Sequence, residues 1–325
     1  MLPVARIYNV AAGVASARLP LVTPPKKPIA RQGLKGVDSA GISSLTDRTT
    51  APISVVIPAY NAEGFLADAI QSVHAQTLHV AEIIVVADTC SDRTEQIATD
   101  LGANVLTHHG RNMAAGLNLG VRSSSQPWIA LLDADDVWKK EKIELQWRII
   151  QTRPAAGLVA CDMFTVQGQN VTQLSKHMLR ERWDDIQSVE IDEHSYFLAE
   201  VPGKLLPRFN ISTPTAVLRR DVFSTVGFFD ETLIFGQSLE FFARVLARYP
   251  LLFVERPLVY HRRHDDNHTR DLDAYRSMYI SIVNRMLQHP ERYPPGAGDA
   301  YRARLKRDFH QFERGLLKQK KKAIN

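Results

Sequence analysis

The sequence predicts an α/β fold class, a mainly parallel mixed sheet flanked by helices, and three observations carry that prediction. Between residues 51 and 161 short apolar runs alternate with segments whose apolar residues recur at helical spacing. Polar clusters follow the strands at one end only: "PAYNAE", "ADTCSD" and "DADD", at the carboxyl edge where open α/β sheets bind ligands. No run approaches the ~18 apolar residues of a membrane span. Two cysteines, Cys90 and Cys161, are too few for a disulfide framework or a cysteine zinc site and fit a reducing compartment. The expected location is cytoplasmic.

Residues 1 to 50 contain no acid before Asp38, and "TPPKKPIARQGLKG" is rich in Pro, Gly and Lys without periodicity. They read as a flexible extension. "VARIYNVAAGVASARLP" is basic and acid-poor like a targeting peptide, but its apolar core is too short and interrupted for an export signal.

From Ala51 the pattern is regular. "ISVVIPAYN" is a buried strand ending at Pro58, followed by a helix with Phe65, Leu66, Ala69, Ile70 and Val73 on one face. "EIIVVAD" is the second strand. Asp92 and Glu95 have the spacing of a capping box for a helix bearing Ile97 and Leu101. "NVLTH" is a third strand, and Ala114, Leu117 and Val121 form a helical stripe after it. "WIALL" is the fourth strand, then a helix with Ile143, Trp147 and Ile150, and "GLVAC" the fifth strand. The chain ends in a helical segment, 271–325, with a basic tail. Nine Lys or Arg face two acids from Tyr301 to Lys322. That tail reads as a solvated helix end, with an anionic membrane surface as the partner it would fit and nucleic acid not expected.

The chemistry concentrates in "LLDADDVW". Asp133 and Asp135 lie two apart, so in an extended segment they share a side. Two hard oxygen ligands facing one cavity suit Mg2+ or Mn2+ together with phosphate oxygens. Tyr60 offers an aromatic face for a base, and Asp88 an acceptor for a base N–H or a ribose hydroxyl. The ligand these residues imply is a nucleotide carrying phosphates, yet there is neither GxGxxG nor GxxxxGK[ST].

Five segments in order, "ISVVIPAYNAEGFLADAIQSVHAQT", "EIIVVADTCSDRT", "NLGVRSSSQPWIALLDADDVW", "GFFDETLIFGQSLEFFARVLA" and "LVYHRRHDDNHT", resemble glycosyltransferase family 2 on a GT-A fold. The resemblance covers roughly residues 51 to 270. It implies a nucleotide-binding half, 51–161, and an acceptor half, 162–270. It also implies metal-assisted transfer of a sugar from a nucleotide-diphosphate sugar, a UDP-sugar first among them, to an acceptor hydroxyl with inversion. Pro58, Ala59, Tyr60, Asn61 and Glu63 look like the nucleotide-binding loop, with Asp88 on the base. Asp133 and Asp135 look like the DxD pair, Asp133 nearer the ribose and Asp135 on the metal. His264 resembles a late histidine that completes the metal or diphosphate site; His261 and His268 lie nearby, and a surface residue is the alternative reading for each of the three. Asp136 reads as a helix cap. The acceptor is a glycan, a lipid-linked sugar or a small molecule.

Two departures stand out. Family members carry Glu-Asp where Gln237 and Ser238 stand here, and the Asp is the general base; an unassisted serine lacks the pKa for that task. Leu239, Phe242, Val245, Leu246 and Tyr249 define a buried face with Ser238 near its centre. Glu240, the other candidate base, falls opposite, at the spacing of a surface pair with Arg244. The "ARN" before the fourth strand is altered to "GLN" at Gly116–Asn118. An active transferase with its base from Asp230, Glu231 or Asp185 is therefore weighed against a sugar-nucleotide or glycan-binding protein of the same fold.

Overall fold

The computed structural model describes residues 50–167, 170–173, 188–208, 211–233, 236–264 and 272–307. The extension before Thr50, Asp185, His268 and the basic run past residue 307 lie outside them. The described residues belong to one unit, Thr50–Asn325, built on a single mixed sheet.

Its first half forms as the periodicity dictates. Strand β1 (Thr50–Ala59) pairs in parallel with β2 (His79–Asp88) and β4 (Trp128–Leu131), and β2 with β3 (Asn104–His108). Alternate side chains leave for opposite faces. Ile53, Val55 and Ile57 join Trp128, Ala130 and Leu132 in one core. Val56 joins Ile129 and Leu131 in the other. Helices α1 (Leu66–His74) and α2 (Thr94–Asp100) cover the first face. Helix α3 (Met113–Ser123) covers the second through Ala114, Leu117 and Val121. It runs so close to β1 that a Cβ on Gly120 would lie 2.3 Å from Val56 Cγ1, so glycine is required there.

Beyond β4 the order of strands departs from the order of the chain. Helix α4 (Lys142–Thr152) follows a two-residue strand, β5 (Val137–Trp138), and leads to β6 (Leu158–Gln167). Strand β7 (Asn170–Gln173) pairs with β6, and β8 (Ser188–Asp192) with β9 (Ser195–Leu198). Between β4 and β6 lies β10 (Val217–Arg219), antiparallel to both. The long β11 (Leu251–Arg263) runs parallel to β6 and also pairs with β5. That last pairing brings the end of β11 beside the acidic turn. Helix α5 (Asp221–Val226), helix α6 (Gln237–Leu246) and helix α7 (Leu272–Gln288) complete the second half.

Asp92 does not form the expected capping box. The residue capping α2 is Arg93, without a side-chain bond, and the Asp92 carboxylate instead accepts the N–H groups of Thr94 and Glu63 at 3.0 and 2.9 Å.

Candidate active site

Each of the first three strands is followed at its carboxyl edge by a non-glycine residue in the left-handed region: Asn61 (φ 43°), Thr89 (φ 54°) and Arg111 (φ 47°). Such backbone costs on the order of 1–2 kcal/mol per residue and persists only where neighbours hold it. Here they do. Asn61 Oδ1 accepts the Ser91 N–H at 2.8 Å, the Thr89 N–H donates to the His108 carbonyl at 2.8 Å, and the Arg111 N–H donates to Asp88 at 2.9 Å. Glu63 braces the same loops, accepting from the Arg93 side chain at 3.3 Å. Pro58 and Ala59 are buried beneath, while Tyr60 stands 42% exposed.

Asp88 is buried, and its carboxylate organises the loop after β3. Oδ1 accepts the N–H groups of Gly110 and Arg111, each at 2.9 Å, and lies 3.1 Å from His108 Nδ1; Oδ2 accepts the Asn112 N–H at 2.7 Å. Burial raises its pKa, but the backbone bonds outweigh it and hold the carboxyl at about 2. Sequence reasoning gave Asp88 to the ligand and did not foresee this work within the protein, to which most of its lone pairs are committed.

The acidic turn is gripped from β11. Asp133 and Asp135 are half-buried while Ala134 and Asp136 are buried. The segment is a turn, not an extended strand, closed by the Asp136 N–H on the Asp133 carbonyl at 3.0 Å. His264 Nε2 lies 3.0 Å from Asp135 Oδ2, and its ring stacks on Phe65 with centroids 4.5 Å apart. The Arg262 side chain donates to the Asp135 carbonyl and pairs with Asp68 at 2.7 Å. Asp136 is not a helix cap: the capping residue of α4 is Glu141. Asp136 instead accepts the Arg262 N–H at 2.9 Å and sits 3.2 Å from His261 Nδ1. Burial draws the His261 pKa down, but the Asp136 hydrogen bond and charge outweigh it and set it at about 8. Burial and the charges of Asp136 and Asp135 push Asp133 well above the ordinary carboxylate range.

This donor set fits a divalent cation. Asp135 and His264 offer an oxygen and a ring nitrogen to one point, and Asp133 keeps a buried oxygen, Oδ1, without a hydrogen-bond partner among the described residues. No cluster of three ligating side chains exists among the described residues. A carboxylate beside a ring nitrogen is a donor pair that Mn2+ accepts, and Mg2+ binds through one or two carboxylates with phosphate and water.

Helix α6 opens after Gly236 (φ 71°) with no side-chain cap. Gln237 is buried, its Nε2 donating to Met113 Sδ at 3.0 Å, and Ser238 is half-buried. Leu239 and Tyr249 are only partly buried, so Ser238 is not at the centre of a buried face. The buried face instead includes Glu240, which is 1% exposed and not a surface residue. It pairs with Arg244 at 2.8 Å and accepts the Tyr293 hydroxyl at 2.6 Å. The periodicity missed this because Tyr293 reaches the helix from far along the chain. Asp230 accepts the Thr232 N–H at 2.9 Å and pairs with Arg285. Glu231 Oε1 accepts from Asn118 Nδ2 at 2.8 Å.

The family model described as glycosyl transferase family 2 matches residues 54–227, which include every strand edge just described up to β10. The chain belongs to glycosyl transferase family 2. As a family 2 member it is a transferase, and relatives agree. It is 26% identical over 242 residues to an uncharacterized glycosyltransferase of Rickettsia typhi, covering 72% of each chain. It is 36% identical over 98 residues, 29% of this chain and 39% of the other, to the Escherichia coli enzyme WfgD, named a UDP-Glc:alpha-D-GlcNAc-diphosphoundecaprenol beta-1,3-glucosyltransferase. Among solved structures it resembles residues 1–349 of Staphylococcus aureus TarS in complex with UDP-GlcNAc. The TM-score there is 0.55 at 17% identity, over 72% of this chain and 66% of that one. The likeness establishes the GT-A fold.

Tyr60, Asp88 and Asp133 thus lie at the carboxyl edge of β1, β2 and β4, where Asp135 meets His264; Ser238 lies on a helix whose first residue touches α3, and Glu240 is buried against Arg244 and Tyr293. Sequence reasoning did not single out Arg111 or Arg262, and it weighed His261 only as a neighbour of His264. "HHGRN" and "YHRRH" carried the signal, but only the register of β11 against β5 reveals what the second one grips.

Proposed function

We propose that the protein moves a sugar from a nucleotide-diphosphate sugar, a UDP-sugar, to an acceptor hydroxyl with inversion and with help from Mg2+ or Mn2+. The observation that supports this best is the meeting of Asp135 with His264 at 3.0 Å, beside the Tyr60 and Asp88 edge. In the reaction the acceptor oxygen bonds to the anomeric carbon as the bond from that carbon to the diphosphate breaks. The electron pair leaves with the diphosphate, and the hydroxyl proton passes to a base. Asp135 and His264 would hold the cation, which supplies charge neutralisation to the leaving diphosphate. Asp133 would orient the ribose, Tyr60 the base, and Asp136 with His261 keeps the turn in place.

The absence of a carboxylate at Gln237 and Ser238 favours a second reading, a protein that binds a sugar nucleotide or glycan without turnover. TarS was solved with UDP-GlcNAc and WfgD is named for a lipid-diphosphate acceptor, so a UDP-sugar and a glycan or lipid-linked acceptor are the first to try. A lipid-linked acceptor would suit peripheral contact of the basic tail with a membrane; among the described residues no helix is long and apolar enough to cross one. Thermal shifts with a panel of nucleotide sugars, with and without Mn2+, test the binding, and donor hydrolysis or transfer then separates the two readings. No shift with any nucleotide would overturn the transferase and the sugar-nucleotide binder alike, and leave only a glycan binder.

A further inference from the structure

Asp68 stands in the first turn of α1 and pairs with Arg262, near the end of β11, at 2.7 Å. The same guanidinium makes two further bonds. Its Nε donates to the Asp135 carbonyl, and its Nη2 donates to the Phe65 carbonyl at 3.2 Å. It lies over the Phe65 ring, 5.1 Å from the centroid, and that ring also stacks on His264. Three segments far apart in the chain thus meet at one planar group: the start of α1, the acidic turn and the end of β11.

The rigid fork of an arginine sets the directions of all its N–H groups together, so whatever holds one end of Arg262 also aims the other. Helix α1 is the fixed post of this arrangement, because Leu66, Ala69 and Ile70 anchor it in the core. The acidic turn is anchored less well. Of its four residues only Ala134 joins that core, and the turn takes its place from hydrogen bonds that Arg262 donates to Asp135 and Asp136.

We propose that Asp68 is a positioning residue for the metal site: through Arg262 it fixes the backbone of Asp135, and with it the carboxylate that meets His264 at 3.0 Å. This rests on the metal reading of Asp135 and His264 above. Asp68 itself stays outside the site and acts only through Arg262. A partly exposed ion pair adds little to stability, so losing it should show in the metal site and not in the fold. Groups that orient metal ligands from outside typically govern metal affinity by about 10–100-fold.

The test follows Mn2+ binding by the electron paramagnetic resonance signal of the free ion, at saturating UDP, and UDP binding by calorimetry in EDTA. Asp68→Ala and Arg262→Lys are the main variants, and Asp68→Glu is the conservative one. Asp192→Ala, which breaks the pair between Arg148 and Asp192, controls for loss of an ion pair elsewhere. Asp68→Ala should weaken Mn2+ about tenfold and leave UDP in EDTA within about twofold. Its melting temperature should stay within about 2 °C of the wild type. Asp68→Glu should restore most of the Mn2+ affinity. Arg262→Lys keeps a charge for Asp68 but has no fork to reach the Asp135 carbonyl as well, so it should lose as much as Asp68→Ala. Unchanged Mn2+ affinity in Asp68→Ala would overturn the positioning role. So would an equal loss of UDP affinity in EDTA, which would make the pair a support of the nucleotide loop. A Mn2+ loss shared by Asp192→Ala would also overturn it, tracing the effect to a weakened fold. A wild type that binds UDP alike in Mn2+ and in EDTA would remove the metal reading and the positioning role together.

Discussion

Asn118 on α3 and Glu231 in the loop before α6 are bonded side chain to side chain: Asn118 Nδ2 lies 2.8 Å from Glu231 Oε1. The same amide donates to the Phe229 carbonyl at 2.9 Å and accepts the Phe229 N–H at 3.0 Å. Asn112, which caps α3, donates to the Glu231 carbonyl at 2.6 Å. Helix α3, packed against β1 and β2, therefore fixes the segment that leads into α6. The altered "GLN" keeps its Asn for this purpose, while Leu117 beside it is buried in the core.

Replacing Asn118 with Ala should consequently cost stability before it costs chemistry. It leaves the buried Phe229 N–H and carbonyl without these partners, worth about 2–3 kcal/mol. For a domain of this size the melting temperature should fall by roughly 5–10 °C. Differential scanning calorimetry measures this, and a fall below about 2 °C would mean the amide is replaceable by water.

Asp88 predicts a pH dependence with a definite sign. Its folded pKa, about 2, lies below the ordinary 3.8. Its contribution is therefore complete above pH 3.8 and lost as pH falls through about 2. The shift corresponds to about 2 kcal/mol. Asp88→Asn should be less stable than wild type by about that amount at pH 6 in urea melts, and the gap should narrow toward pH 2. A gap constant over that range would place the effect in packing and not in ionisation.

Metal linkage tests the acidic turn. Wild type should bind UDP more tightly with Mn2+ than with EDTA, and Asp135→Ala should erase the difference. His264→Ala should reduce it, since a carboxylate and phosphate oxygens remain for the cation. Calorimetry showing the same affinity with and without Mn2+ in the wild type would refute the assignment.

Much of this was legible in the sequence where contacts are local or follow a period. The runs around Ile53, Ile84 and Ile129 specified β1, β2 and β4, and the acids fell at their carboxyl edge. What escaped is short or distant. The "VLR" of β10 is three residues long and β5 two, too brief for any period to register. Asp136 was mistaken for a cap because its partners, His261 and Arg262, arrive on β11 from the far half of the chain. Glu240 looked solvent-facing because a helical projection shows only one helix, and the Tyr293 hydroxyl that completes its burial comes from another segment.

Glu240 then becomes a stability residue. Glu240→Gln leaves the Arg244 charge buried with weaker partners, a loss of about 3–5 kcal/mol. Replacing both, Glu240→Leu with Arg244→Met, should recover part of it. Activity per folded molecule should be unaltered in the double variant. Folded Glu240→Gln protein with normal stability and no turnover would instead make Glu240 the base.

Ser238 decides between a transferase with full turnover and an impaired one. It is half-buried in the first turn of α6, after the glycine that caps the helix without a side-chain bond. A carboxylate there meets the positive end of the helix, which favours it by about 0.3–1 kcal/mol; the buried face that would have penalised it lies elsewhere on α6. The neighbouring acids are poor replacements. Glu240 is committed to Arg244 and Tyr293. Asp230 is held below its usual pKa, burial being outweighed by its Thr232 bonds and the Arg285 charge, which weakens it as a proton acceptor. Glu231 shares one oxygen with Asn118 and is exposed, so it alone among the described acids of that loop could take a proton from an acceptor. If no base assists, wild-type turnover should be slow while donor binding is intact, and Ser238→Asp should raise transfer or donor hydrolysis by about 10²–10⁴-fold. The measurement is product formed per minute by wild type, Ser238→Asp, Glu231→Gln and Asp230→Asn, each at saturating donor. Fast wild-type turnover that collapses only in Glu231→Gln would place the base there. Fast turnover surviving all of these changes would show that Ser238 does not occupy the position of the base.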